Sequence, residues 1–300
     1  MDVESTIKSH KPDISNSSAR AYSNSLRKLN KDVFEGEPFT NFKWLLKIDE
    51  IMKYLKTKKY LTMRNYLNAV IVAIQTMDKY DQKILDQYVV ERDKGNLQYD
   101  KFVETNKKSE KEDKNWISYN EIEEIRKSLD KKDTYAQYVF LTLFMEYVTR
   151  NDFRALYKIS DRALKKIKKE QLNSETRDKI NYFVKYKSGF YILLESFKTS
   201  AKYDSIKIEI DEKYNKMINK YLRMTKFNKY LFEKNGSPFD TKEFTLWVEN
   251  IFKSTGKKVG TTLLRHIIIS HNHGDAIKKQ KEDARVAGHS AKMQSNYVRD

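Results

Sequence analysis

The chain has 300 residues, 39% of them apolar and 34% charged, with 59 Lys and Arg against 42 Asp and Glu for a formal net charge of +17. The absence of cysteine excludes disulfides and Cys-ligated zinc. The longest strongly apolar run, 138–148, still contains Thr142 and Glu146 and is too short to span a bilayer. With no signal-peptide pattern in Met1-Asp2-Val3-Glu4, a soluble intracellular protein is expected. Each Lys or Arg placed on a phosphate releases condensed counterions, so the charge favours a polyanionic partner. A Lys- and Asn-rich composition also follows from AT-rich coding, which leaves a merely soluble basic protein as the plainer alternative.

Gly and Pro are scarce, at 8 and 3 residues, and apolar residues recur at helical spacing over long stretches, which predicts a mainly helical chain. The first 14 or so residues are polar and are expected to be disordered. Ala19, Tyr22, Leu26 and Leu29 place a helix over 15–29, capped by Ser15 or Ser17. Helices follow over 41–55, after Thr62, over 81–91 and over 99–104, so that 1–105 forms a helical domain. Residues 106–115 carry no apolar side chain and read as a linker. A second domain, 116–300, starts where Ser118 and Glu121 make a capping box stapled by Ile117 and Ile122.

In that domain 135–148 is apolar nearly all round and predicts a buried helix ending at Thr149-Arg150-Asn151-Asp152. A basic polar stretch, 161–179, precedes β-like segments at 180–184, 190–197 and 206–210. The last two flank a turn bearing Lys198 and Lys202. Helices resume over 212–222, 241–252, 262–270 and 276–286, with no internal repeat. The fold class is mainly α with a small antiparallel sheet, α+β.

Several residues stand out chemically. Arg265 and His266 interrupt the apolar run Leu263-Leu264-Arg265-His266-Ile267-Ile268-Ile269. A guanidinium buried without a partner is expensive, so Arg265 meets either a carboxylate in the core or an anionic ligand. Arg150 poses the same choice between a cation serving the end of a helix dipole and a ligand-binding group. Gly288-His289-Ser290 is followed by Tyr297, eight residues after the histidine. His271 and His273 suggest a metal site, but two histidines two apart do not share a helix face and no carboxylate spacing supports them. No metal, nucleotide or other cofactor is expected.

In order, Arg150, a hairpin lysine, Leu-Leu-Arg-His, Gly-His-Ser and Tyr297 resemble the tyrosine recombinase family, which includes phage and viral integrases. The resemblance runs from about Ser118 to Tyr297, and the helical first domain matches that family's core-binding domain in size and placement. It implies an enzyme that cuts and rejoins double-stranded DNA through a 3′-phosphotyrosyl intermediate, without metal or ATP, as a homotetramer on paired sites. Carried over, Arg150 and Arg265 grip the scissile phosphate and His289 donates to it. Lys198, with Lys202 as its rival, protonates the leaving 5′-oxygen, and Tyr297 is the nucleophile. The resemblance also suggests a virus or mobile element as the source.

Two departures qualify this pattern. The position three before Arg265, commonly His or another polar or basic residue in the family, is Thr262, which leaves the group that deprotonates tyrosine unnamed. His266 is adjacent but points about 100° away on a helix. Asp152 matches the acidic residue that often follows the first arginine. Few residues follow Tyr297, which leaves the mode of assembly open. A type IB topoisomerase-like relaxing enzyme, and a degenerate integrase that only binds DNA, are the alternatives.

Overall fold

The computed structural model describes residues 1–35, 39–171 and 179–289. The chain divides into two units, Met1–Lys108 and Ser109–Asp300, each with its own apolar core.

The first unit contains α1 (Val3–His10), α2 (Asn16–Phe34), α3 (Ile48–Leu55), α4 (Tyr60–Gln75) and α5 (Gln82–Glu104). Expected disorder at the N-terminus gives way to the helix α1. Asp2 caps it by accepting from Ser5 N–H, and Val3 and Ile7, one turn apart, are fully buried in the unit's core. Two apolar side chains are too few to show a period in sequence, yet they suffice to dock one face. Ser15 caps α2. The two helices expected over 81–91 and 99–104 are one, because Gly95 continues the helix where α5 passes α4. A Cβ there would meet the Arg64 Cβ at 3.6 Å, an ordinary contact.

The second unit opens with α6 (Glu110–Asn115), inside the expected linker. Ser109 and Glu112 form a full capping box, and caps and charge complementarity hold this short polar helix where no apolar face exists. Then come α7 (Tyr119–Ser128), with the Ser118–Glu121 capping box, and α8 (Tyr135–Glu146), which is buried along most of its length.

Strands β1 (Leu156–Ser160), β2 (Asn181–Lys185), β3 (Phe190–Leu194) and β4 (Ile206–Ile210) form one sheet in the order β1-β2-β3-β4. The three expected strands pair antiparallel; β1, not foreseen, adds in parallel to β2, so the sheet is mixed. Helix α9 (Asp161–Gln171) makes the crossover between them. Alternation along the strands sends Phe183, Phe190 and Ile192 to the main core and Tyr182, Val184 and Tyr191 to a smaller cluster with Leu164 of α9. Between β3 and β4 lies a short helix, α10 (Ser200–Tyr203).

Helices α11 (Asn215–Met224), α12 (Thr241–Ile251) and α13 (Thr261–Val286) complete the unit. The segments expected as separate helices over 262–270 and 276–286 are one helix of 26 residues, running unbroken through Gly274. No helix among the described residues is long and apolar enough to cross a membrane.

Candidate functional site

Arg150 lies beyond the end of α8, whose last residue is Glu146. It is therefore outside the final turn, and a role in neutralising that helix's dipole does not account for it. Its backbone N–H donates to Asp152 Oδ2 at 3.1 Å, folding the Arg150-Asn151-Asp152 turn back on itself and leaving the Arg150 side chain exposed. Next in the chain, Asn151 accepts at Oδ1 from the hydroxyl of Thr261, the first residue of α13. Thr261 is buried, and Arg265 follows one helical turn later on the same side of α13. The clamp brings the turn bearing Arg150 against the helix bearing Arg265.

The charge of Arg150 is felt at Arg265. Burial, and then the positive charge of Arg150, push the Arg265 pKa below that of a free arginine, while Asp152 opposes them. Burial raises the Asp152 pKa above 3.8 against the pull of the Arg150 N–H and the Arg150 and Arg154 charges. Among the described residues no carboxylate comes within ion-pair distance of either arginine, so the core salt bridge considered for Arg265 does not form. Two arginines whose supports are tied together, with Asp152 near them but ion-paired to neither, are suited to gripping one phosphate with forked donors.

His266 points elsewhere. Its Nδ1 lies 2.6 Å from Glu112 Oε1. Burial alone would raise the Glu112 pKa, but the Ser109 N–H and hydroxyl together with His266 hold it below 4.5. Further along α13, His271 stacks on Tyr119 with ring centroids 3.8 Å apart and planes at 6°. Lys258 N–H donates to Asn115 Oδ1 at 2.8 Å, and Lys257 Nζ to the Lys114 carbonyl at 2.8 Å. The segment from Ser109 to Tyr119 is thus stitched along the start of α13, which gives both histidines structural work. Thr262 is exposed in the first turn of α13.

Lys198 is exposed in the turn before α10. Lys202 belongs to α10 itself, with its Nζ 5.0 Å from the centre of the Tyr203 ring. No described contact joins either lysine to the arginine pair.

At the far end of α13, Gly288 adopts a left-handed φ of 74°. Its N–H bonds the Arg285 carbonyl and the His289 N–H bonds the Ala284 carbonyl, a Schellman closure. The glycine of the Gly-His step is thus a helix stop, and it sets the backbone of His289. At about 1.5 Å per residue, Arg265 and Val286 lie roughly 32 Å apart along the helix, so the structure does not bring His289 to the arginines. Tyr297 lies outside the described residues.

Sequence reading passed over Asn151, Thr261 and Glu112. The Ser109-x-x-Glu112 signature of a capping box was present, and only the lack of a following apolar run hid it. Nothing local ties Asn151 to Thr261, 110 residues away. Among the described residues, no group of three or more His, Asp or Glu is placed to hold a metal ion.

No family model matches the chain, and no curated protein matches it. Among solved structures it is similar to a XerH site-specific recombinase bound to its difH substrate in a pre-cleavage complex, at 14% identity and a TM-score of 0.49, covering 95% of this chain and 78% of that one. It is also similar to a XerA recombinase, at 13% identity and a TM-score of 0.33, covering 90% and 84%.

Proposed function

We propose that this protein is a site-specific DNA recombinase of the tyrosine type, and that Arg150 and Arg265 bind the phosphate it cleaves. The observation that carries the reading is that the turn bearing Arg150 is tied to the helix bearing Arg265 through Asn151 and Thr261, with neither arginine in an ion pair among the described residues. A phosphodiester under attack gathers negative charge on its non-bridging oxygens, and two preset arginines stabilise that charge without reorganising. The net charge of +17 suits a partner that is a phosphate polymer.

In this reaction the Tyr297 oxygen attacks phosphorus, its proton passing to solvent water, and the bond from phosphorus to the 5′-oxygen breaks. The leaving oxygen takes a proton from Lys198, and the 3′ end stays joined to the tyrosine. Attack by a free 5′-hydroxyl reverses the steps, so the number of phosphodiester bonds is conserved and no ATP is consumed. Tyrosine has a pKa near 10 in water, and neighbouring cations favour its phenolate.

The length of α13 sets one requirement. His289 reaches the arginines of the same chain only if the helix bends. Gly274 is the place for it, because helix is weakest at glycine and, beyond the adjoining backbone of its own helix, nothing packs within 4 Å of where its Cβ would stand. Protomers assembled on paired DNA sites, four in all, would select the bent form. The separation of Arg265 from His289 also favours a second reading, a protein that binds DNA without cutting it.

A nicked suicide duplex carrying the ends of the parent element separates the two. The recombinase forms a covalent protein–DNA adduct that Tyr297→Phe abolishes. A wild-type protein that binds the duplex and forms no adduct establishes the second reading.

A further inference from the structure

We propose that Asn151 and Thr261 are positioning residues that set the spacing of Arg150 and Arg265 before any phosphate arrives, an inference that rests on reading the arginine pair as an anion site.

The geometry begins with Gly260, which precedes α13 and contributes no capping side chain. A Cβ on Gly260 would make ordinary contacts with α12, at 3.4 Å to Thr245 Cγ2 and 3.6 Å to Glu249 Oε1, but glycine offers no side-chain oxygen to cap the helix. The first hydroxyl in α13 is that of Thr261, and instead of capping its own helix it crosses to Asn151 Oδ1. Thr261 is only 4% exposed, so this bond is shielded from competing water.

From Asn151 the constraint passes to Arg150 over one peptide unit, and the Arg150 N–H bond to Asp152 Oδ2 closes the turn behind it. From Thr261 it passes to Arg265 over one turn of helix. The charge of Arg150 is felt at Arg265 and like charges repel, so an untethered turn would relax by moving Arg150 away from α13. The Thr261–Asn151 bond opposes that movement and keeps the Arg150 turn against α13. This is preorganisation: the cost of bringing the cations together is met during folding rather than at binding.

The test is a double-mutant cycle on the full chain, with inorganic phosphate as the probe and arginine side-chain NMR as the readout. Thr261→Val keeps the shape and removes the hydroxyl, and phosphate affinity is expected to fall about five- to tenfold. Thr261→Ser restores the affinity. In an Arg150→Ala background, Thr261→Val is expected to change affinity by less than about twofold, because its effect runs through Arg150. An equal loss in both backgrounds, or no loss with Arg150 present, overturns the proposal. If Thr261→Val does not fold, Asn151→Ala removes the acceptor from the half-buried side and enters the same cycle. A wild-type protein that binds phosphate through this cycle but forms no Tyr297 adduct keeps the positioning role and loses the recombinase reading. If Arg150→Ala leaves phosphate binding unchanged, the anion site and the positioning role fall together.

Discussion

Arg265 and His289 stand at opposite ends of one helix, Arg265 in the second turn of α13 and His289 just past its Schellman stop. For one chain to bring both to the phosphate proposed above, the helix between them has to bend. That helix is buried near its start, at Leu263, Leu264, Ile267 and Ile268, and mostly exposed and polar beyond Ile269. Its second half is therefore held mainly by its own hydrogen bonds, which makes it the cheaper half to bend.

Gly274→Ala tests the bend with effects of opposite sign. Alanine favours helix over glycine by about 0.5–1 kcal/mol, so thermal stability is expected to rise slightly. Adduct formation is expected to fall by roughly three- to fivefold, since the bent form becomes rarer by the same free energy. Binding to duplex DNA should hardly change. Calorimetry, gel shift and single-turnover adduct assays check the three outcomes, and a variant that gains stability while keeping its full adduct rate rules out the bend.

Lys198 and Lys202 are separated by chemistry rather than by position. A general acid is needed only when the leaving oxygen is basic. Lys198→Ala is expected to slow adduct formation by about 10²–10⁴-fold on a normal duplex and to recover on a duplex whose scissile 5′-oxygen is replaced by sulfur, which leaves without a proton. Lys202→Ala should show neither the loss nor the rescue. Single-turnover rates on the two duplexes decide it, and rescue seen in the Lys202 variant instead would transfer the role.

Glu112 ties the segment before α7 to His266, and its pH dependence follows from its depressed pKa. Such a group contributes stability that is fully present above its unfolded value, near 4.5, and is lost as pH falls through the lower folded value. Glu112→Gln keeps a side chain able to close the capping box but removes the charge. The loss at pH 7 is expected to be roughly 0.5–1 kcal/mol, shrinking as pH drops below 4.5. Urea unfolding at pH 7 and near pH 3 measures it, and a gap that persists at the acid end would assign the effect to shape rather than charge.

Gly288→Ala probes the helix stop. A left-handed φ of 74° costs an L-residue about 1 kcal/mol or more, and no crowding adds to it, since nothing lies within 4 Å of the would-be Cβ. The expected outcome is a small loss of overall stability with a larger loss of adduct formation, because the backbone of His289 is set by this turn. Hydrogen exchange at the His289 amide, bonded to the Ala284 carbonyl, should rise in the variant. Unchanged protection there would show that the chain closes the helix without glycine.

The sequence by itself determined the parts that depend on neighbours in the chain. Periodicity located α2 and α4, an all-round apolar run located α8, a capping box located α7, and short β-like segments located β2, β3 and β4, because each signal lies within a few residues of the element it makes. Local signals failed where the deciding partner was distant. Helix α1 needed the core of its unit to bury Val3 and Ile7. Strand β1 needed the edge of β2 to pair with. Arg150 and Arg265 were legible as misfits, but one sequence could not say whether a carboxylate waited for each. Only the tertiary structure decided that, by placing the two cations together and joining their supports through Asn151 and Thr261. A side-chain hydrogen bond across 110 residues leaves no period, cap or turn signature behind.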